Sequence, residues 1–576
     1  MPAPTFPSRV PGRLLALAAL LVAAAGPPAA AQVAPAAPAA VRDAPRLVVL
    51  LVVDQCRPEY LFRPELAGGT LDTLRSGGAW FPDAAHTHTI TFTAPGHAAI
   101  ATGCLPARAG IAGNEWYDRA RHALVTSVED EAAPLVGEGL RPGSPGASAA
   151  RLRRPTLGDV LVAERGEAAH VISVGWKDRS AILLGGRHSD GSYWIDPVSG
   201  RWVTSRAFRP TLPVFLRALC GDPVRGCAGQ TWTRRGSDER VDDAAGERPP
   251  SGLGTTFPHA LPRAPEPGAD LTRLEELVAC TPWADAAVAH AACVELGYDV
   301  PELGQDDAPD LLCVAFASLD FAGHHFGPES CEVAEVLRAL DEQVGLLVAQ
   351  LDERVGRGRW TLALTADHGV QPVPEQSGGR RLDGVAELKT LEQALVARFG
   401  DPPPRPGEKR PRWIAAALRP SIWLDRERVA AAGLQLEDVA RETAARLAEL
   451  PGVDRAATQA DLTALAAREA SDRPQAPESD LLALARDVVP ELSGDVLFLL
   501  EPNVLLGEDV AATHGTQHAD DRQVPLLFFG AGIRPGTYPG PAAPIDIAPT
   551  LARLLGLKGL SDADGRVLEQ ALSPAR

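Results

Sequence analysis

Four stretches of the chain are unbroken apolar runs of strand length: Leu47 to Val53, Leu311 to Phe316, Trp360 to Thr365 and Val524 to Phe529. A strand wetted on one face alternates apolar with polar residues. A continuous apolar run instead predicts a strand covered on both faces, as in a parallel sheet flanked by helices. Between the second and third runs, Val333, Val336, Leu337, Leu340, Val344, Leu347 and Leu351 keep helical spacing. They predict a helix over Glu332 to Glu353, and with its neighbours a strand–helix–strand unit. Ile545 to Leu555 predicts a last helix packed on the same sheet. The expected fold is α/β, with a central, mostly parallel sheet between helices.

Two stretches break this pattern. Residues from about 190 to 305 are rich in Gly, Pro, Trp and Cys and hold no sustained period. Residues from about 372 to 510 include a strand, Ser421 to Leu424, and an amphipathic helix, Leu434 to Leu450. Both are expected to be insertions on the carboxyl edge of the sheet, where α/β folds bind ligands. The N-terminus has another character. Arg9 and Arg13 precede the apolar run Leu14 to Ala25, and Ala29 to Ala31 offer small residues before Gln32. That is the layout of an export signal, and the run is shorter than the roughly 20 residues that span a bilayer. Residues 1–31 are therefore expected to be removed on export, 32–45 to be a Pro/Ala-rich linker, and 46–576 to be the catalytic domain. The periplasm or the medium is the expected location.

Charge narrows the function. The 576 residues carry a net charge of −18, which becomes −20 once residues 1–31, with two arginines and no acid, are gone. This argues against nucleic acid as a specific partner and against an anionic membrane surface. It also disfavours anionic substrates generally, so any phosphate site must create its own positive field. Eight cysteines in an exported chain predict disulfides, with Cys220–Cys227 and Cys280–Cys293 the expected pairs and Cys313, inside a strand, a buried thiol.

The candidate chemistry gathers where strands end. Asp54 closes the first strand. Asp320 follows the second, with His324 four residues on. Asp367 and His368 close the third, and His514 precedes the last. Three Asp and three His on one rim are too many ligands for one tetrahedral zinc and suit two, the usual arrangement for phosphoryl transfer. The four-residue spacing from Asp320 favours His324 over His325, and His86, His88, His97 and His518 are read as non-ligands. Thr93, in Thr91-Phe92-Thr93-Ala94-Pro95-Gly96-His97, stands before a predicted helix over Ala98 to Thr102 that Pro95 is placed to open. A hydroxyl there faces free backbone N–H groups and the positive dipole end. Lys177 and Arg179 follow the predicted strand Val171 to Val174.

These residues, taken in order, resemble the alkaline phosphatase superfamily. Within it they resemble the monomeric bacterial alkaline phosphatases with a Thr nucleophile, relatives of the type I phosphodiesterases and nucleotide pyrophosphatases. The resemblance rests on Asp54 in VVDQ, Thr93 in TFTAPGH, Asn114 in GNEWY, Lys177 and Arg179 in WKDRSAI, Asp320-x3-His324, Asp367-His368 and His514-Gly515. It implies two Zn2+ ions, one held by Asp320, His324 and His514, the other by Asp54, Asp367, His368 and the Thr93 oxygen. It further implies a phosphothreonine intermediate on Thr93. Asn114, Lys177 and Arg179 would grip the three non-bridging oxygens of a monoester, as the diesterase branch, the alternative, does not. Small phosphorylated metabolites are the implied substrates, with no membrane partner and a monomeric enzyme. Cys104-Leu105-Pro106-Ala107-Arg108 is similar to the sulfatase motif, but Ala107 replaces its Ser, and Cys104 is expected to be a buried helix residue.

Overall fold

The strand Leu47–Val53 is buried along its whole length, and its side chains divide between two cores. Leu47, Val49, Leu51 and Val53 pack on one face of the sheet, and Val48, Leu50 and Val52 on the other. This two-sided burial is what the unbroken apolar run encodes. The computed structural model describes residues 44–236, 240–298, 303–468 and 479–574. The expected export signal and nearly all of the linker lie outside them.

Ten strands form the main sheet, in the spatial order Gly536–Thr537, Ala79–Trp80, Leu526–Gly530, Trp360–Thr365, Leu47–Val53, Asp310–Phe316, Val171–Gly175, Gly191–Asp196, Arg201–Ser205 and Leu135–Gly137. The central strands run parallel, and antiparallel pairing enters towards both margins. The architecture is thus α/β with a mostly parallel sheet. The last predicted strand starts two residues late, at Leu526, because Pro525 has no N–H to give the ladder.

The helix predicted between two central strands runs Cys331–Leu351, opened by the Ser330 side chain, which accepts from Val333 N. The last helix is shorter than expected, Ile547–Leu554, after a 3-10 turn at Pro544–Asp546. Part of the stretch 190–305 is sheet rather than decoration. Gly191–Asp196 and Arg201–Ser205 extend the main sheet, and helix Pro282–Tyr298 contributes Val288, Ala291 and Ala292 to the core. Alternation between Trp202, Val203 and Thr204 is too short a signal to reveal the strand. Within 372–510, Ile414–Leu418, Ser421–Leu424, Val496–Leu500 and Val453–Thr458 form a separate four-stranded antiparallel sheet. The helices Gly384–Phe399 and Leu436–Leu447 close its own core around Trp413, Leu395 and Val439.

Two expectations about cysteine are corrected. Cys220, Cys227, Cys280 and Cys293 carry free thiols, so neither Cys220–Cys227 nor Cys280–Cys293 is bonded. Cys280 directs its sulfur to the Phe321 carbonyl at 3.9 Å, whereas Cys293 sits on the following helix. Cys104 is buried but not helical, since Gly103 ends the preceding helix with φ of 66°. Cys313 is the buried strand thiol expected.

Candidate active site

The register of the three central strands brings their carboxyl ends level: Val53 pairs with Phe316, and Val52 with Thr365. The residues that follow must then share one rim. Asp54 comes at once, Asp320 lies in the first turn of helix Ser318–Phe326, and Asp367 and His368 lie two and three residues past their strand. Asp54, Asp320, Asp367, His368 and His514 are all buried, and His324 is nearly so.

Two groups of donors result. His368 Nε2 lies 3.3 Å from Asp54 Oδ1 and 3.5 Å from Asp367 Oδ2. Asp320 Oδ1 lies 3.3 Å from His324 Nε2 and 3.7 Å from His514 Nε2. A tetrahedral zinc with bonds near 2.0–2.1 Å has ligand–ligand edges of about 3.3 Å, so both spacings fit one. Asp320, His368 and His514 also converge, and the His368 and His514 rings stack at 3.5 Å, so the two groups adjoin.

The imidazoles are oriented for ligation. Each has its Nδ1 against a backbone carbonyl: Ala512 for His324 at 2.8 Å, Gly369 for His368 at 2.9 Å and Thr91 for His514 at 2.7 Å. Nδ1–H donates there, which leaves the Nε2 lone pair facing the carboxylates. Asp54 Oδ1, Asp367 Oδ2 and His368 Nε2 are buried without a hydrogen-bond partner, as expected of atoms that bind a cation. Three buried carboxylates against one ammonium leave a negative excess that burial makes expensive. These residues fit a metal cofactor.

Lys177 lies between the two groups, its Nζ 2.7 Å from Asp54 Oδ2 and 2.5 Å from Asp320 Oδ2. Burial and the Asp320 charge push Asp54 up, yet Lys177 and His368 outweigh them and hold its carboxyl at about 2. Burial also opposes a charged His368, but Asp367 and Asp54 raise it to about 9. His514 is held well below the usual imidazole range by burial and by His368 and His324 beside it.

Thr93 is buried and is the first residue of the helix Thr93–Thr102, two residues earlier than Pro95 suggested. Asn114 Oδ1 accepts from Ala94 N at 2.8 Å, which fixes the Asn114 amide beside that helix start. Arg179 opens helix Asp178–Gly185, half-buried, with a buried Nε that has no partner. The close approach of the Thr93 helix to the metal-ligand loop needs Gly96, where a Cβ would meet the Asp367 carbonyl oxygen and Cβ.

Several functional neighbours carried no readable sequence signal. Gln55, at φ 64°, donates its backbone N–H to Asp367 Oδ1 at 3.2 Å and its side-chain amide to Asp320 Oδ1 at 2.8 Å. It bridges the two groups from a backbone region that side-chain-bearing residues rarely adopt. His97 is not among the donor groups; its Nδ1 lies 2.8 Å from the Thr93 carbonyl and 3.2 Å from Asp367 Oδ2, orienting both. His325 and His518 turn to the Arg248 and Leu500 carbonyls, away from the two groups.

Comparison with known proteins agrees with this arrangement. The type I phosphodiesterase / nucleotide pyrophosphatase family matches residues 48–478. The chain is 28% identical to alkaline phosphatase PafA of Elizabethkingia meningoseptica, covering 92% of this chain and 94% of that protein. It is 30% identical to alkaline phosphatase PhoK of a Sphingomonas species, covering 91% of each. The crystal structure of wild-type PafA superposes with a TM-score of 0.79 at 26% identity, over 93% of this chain and all of the other. A second PafA structure carries substitutions at a threonine, an asparagine, a lysine and an arginine, the last two separated by one residue.

Two outcomes are expected. A metal must displace the His368 proton, so divalent-ion affinity should rise up to about tenfold per pH unit until pH about 9, and level off above. In the chelated protein the sign reverses. The raised His368 pKa stabilises the fold fully below about pH 6.5, and that contribution fades as pH climbs through 9. Chelator competition and thermal melts from pH 6.5 to 10 measure both. Second, Gly96→Ala should weaken metal retention by about 10- to 100-fold. Gly226→Ala, where a Cβ meets nothing within 4 Å, should leave it unchanged, as metal analysis after dialysis would register.

Proposed function

The chain belongs to the type I phosphodiesterase / nucleotide pyrophosphatase family, and from that premise we propose a two-zinc enzyme that hydrolyses phosphate monoesters through a phosphothreonine on Thr93. It is an alkaline phosphatase, and the details proposed are its metals, its intermediate and the residues that make it a monoesterase. The observation that carries the reading is the pair of buried Asp/His groups on one strand rim, bridged by Lys177, beside the start of the Thr93 helix.

Asp320, His324 and His514 would hold one zinc, and Asp54, Asp367 and His368 the other. Bound zinc would supply Lewis acidity, lowering the pKa of the Thr93 hydroxyl and accepting charge from the leaving oxygen. Thr93 Oγ1 attacks phosphorus in line, and the ester P–O bond breaks as the new one forms. Water then cleaves the phosphothreonine, returning the hydroxyl and releasing inorganic phosphate. The leaving oxygen needs no general acid, which suits an alkaline optimum.

The residues of the chain supply positioning and charge. The positive dipole end of helix Thr93–Thr102 lies at Thr93, where it favours the charge of the incoming phosphoryl group. Asn114, held through Oδ1, keeps its N–H2 to donate. Arg179 offers a planar fork and Lys177 a point charge. A monoester dianion has three non-bridging oxygens to receive these donors, while a diester has two. Thr93, Asn114 and the Lys177-x-Arg179 pair repeat the order of the four residues substituted in PafA, which supports the assignment. The N-terminal segment supports export, so the same reading places a monomeric enzyme in the periplasm or medium, acting on small phosphorylated metabolites.

Turnover of p-nitrophenyl phosphate and bis-p-nitrophenyl phosphate by zinc-loaded protein at pH 8–9 tests the proposal. A strong monoester preference is expected, abolished by chelation and by Thr93→Ala. Arg179→Ala should cost about 10²- to 10³-fold in monoester kcat/KM and far less with the diester. A diester preference would move the chain to the phosphodiesterase reading. Undiminished turnover by Thr93→Ala would remove the phosphothreonine.

A further inference from the structure

Beside the candidate active site opens a cleft of about 210 Å3, of whose lining the proposed chemistry uses only Asn114. Phe92, Asn114, Trp116, Arg419, Pro420 and Trp423 line it. The first three come from the catalytic core, next to Thr93. The other three come from the separate four-stranded module and its turn.

Arg419 is unusual in this setting. The arginines around it are matched with carboxylates: Arg381 with Glu375, Arg405 with Asp425, Arg426 with Asp495 and Arg428 with Glu408. Among the described residues no carboxylate pairs with Arg419. Its Nη2 donates to the His514 carbonyl at 2.5 Å and lies 3.5 Å from Thr513 Oγ1. Its Nη1 is buried with no partner. The guanidinium carbon stands 5.5 Å from the Phe92 ring centroid, and the Phe92 ring packs edge-on to His514 at 5.6 Å.

One half of the guanidinium is therefore explained by holding the His514 loop, and the other half is not. A buried guanidinium with a spare donor, on which Asp521 acts only from beyond ion-pair distance, is a costly arrangement unless a nearer anion completes it. Its position says which part of a substrate would do so. The Thr93 oxygen is implied beside Asp54, Asp367 and His368, so in-line displacement sends the leaving oxygen towards the other group, to which His514 belongs, and the cleft runs from that residue's neighbour Phe92 between aromatic walls. We propose that Arg419 is a recognition residue for the leaving group, binding an oxyanion, carboxylate or second phosphate, that the alcohol portion of the monoester carries while its apolar part lies along Phe92 and Trp423. The inference rests on the phosphomonoesterase reading above and deepens it by naming a substrate class.

Metal-loaded full-length enzyme, with Arg419→Ala and Arg419→Lys, would be assayed on phenyl phosphate, 3- and 4-carboxyphenyl phosphate and 1,3-phenylene bisphosphate. The readout is the kcat/KM ratio of each anionic substrate to phenyl phosphate, which cancels any common loss from the slackened His514 loop. That ratio should fall about 10- to 100-fold in Arg419→Ala, mainly through KM, and recover in part in Arg419→Lys. The carboxylate and phosphate arms separate the two kinds of anion. If all four substrates decline together and the ratio holds, Arg419 only fastens the loop and the inference is wrong. Should Arg419→Ala fail to fold, Arg419→Lys carries the same comparison. Absence of phenyl phosphate turnover by the unaltered enzyme would instead overturn the monoesterase reading, a separately visible failure.

Discussion

Three carboxylates forced together out of water set the terms for everything around them. Asp54, Asp320 and Asp367 meet because three parallel strands end level, and parallel register leaves the residues beyond those ends nowhere else to go. Lys177 neutralises one charge by bridging Asp54 and Asp320, and the remainder calls for cations of higher charge. The imidazoles answer the same demand. Each is pinned through Nδ1 to a backbone carbonyl, so its Nε2 lone pair turns inward. Local electrostatics and local geometry thus both suit a metal cofactor at this rim.

The loop that carries Thr93 is fastened to that rim by contacts of its own. Gly96 lets the helix slide against the Asp367 backbone, and His97 ties the Thr93 carbonyl to the Asp367 carboxylate. From the far side, Asp487 accepts from Thr89 N, Thr89 Oγ1 and Ile90 N, with burial pushing its carboxyl up to about 7. Asp487 and Arg419 both belong to the long stretch between the third and last central strands. That stretch therefore braces the loops carrying Thr93 and His514 as well as walling the cleft, which is why a module with its own core stays coupled to the chemistry.

Much of the centre was legible before any coordinates. The unbroken apolar runs marked Leu47–Val53, Asp310–Phe316 and Trp360–Thr365, and each was followed at once by residues able to bind metal. His324 over His325 followed from four-residue helical spacing alone, since that interval returns a side chain to the same helix face. Other features were out of reach. Gly191–Asp196 and Arg201–Ser205 are buried at every position but Arg201 yet mix apolar residues with Ser192, Thr204 and Ser205, so their membership in the main sheet had no periodic signature. The cysteine pairs suggested by proximity along the chain are not bonded, because the direction in which a thiol points is fixed by helix packing, not by separation.

By itself the sequence determined the class of fold and the order of the strands' chemical endings, because burial is written in residue type and short spacing. Only the tertiary structure decided which ligands meet, through strand register, and which side chains lie between them. Gln55 in its left-handed conformation and Arg419 with an unmatched donor are ordinary polar residues in the sequence, and Lys177, marked there only as a phosphate contact, lies across two carboxylates. Their roles come from partners 94 to 312 positions away, and a linear pattern holds no record of contacts made across such distances once the chain has closed on itself.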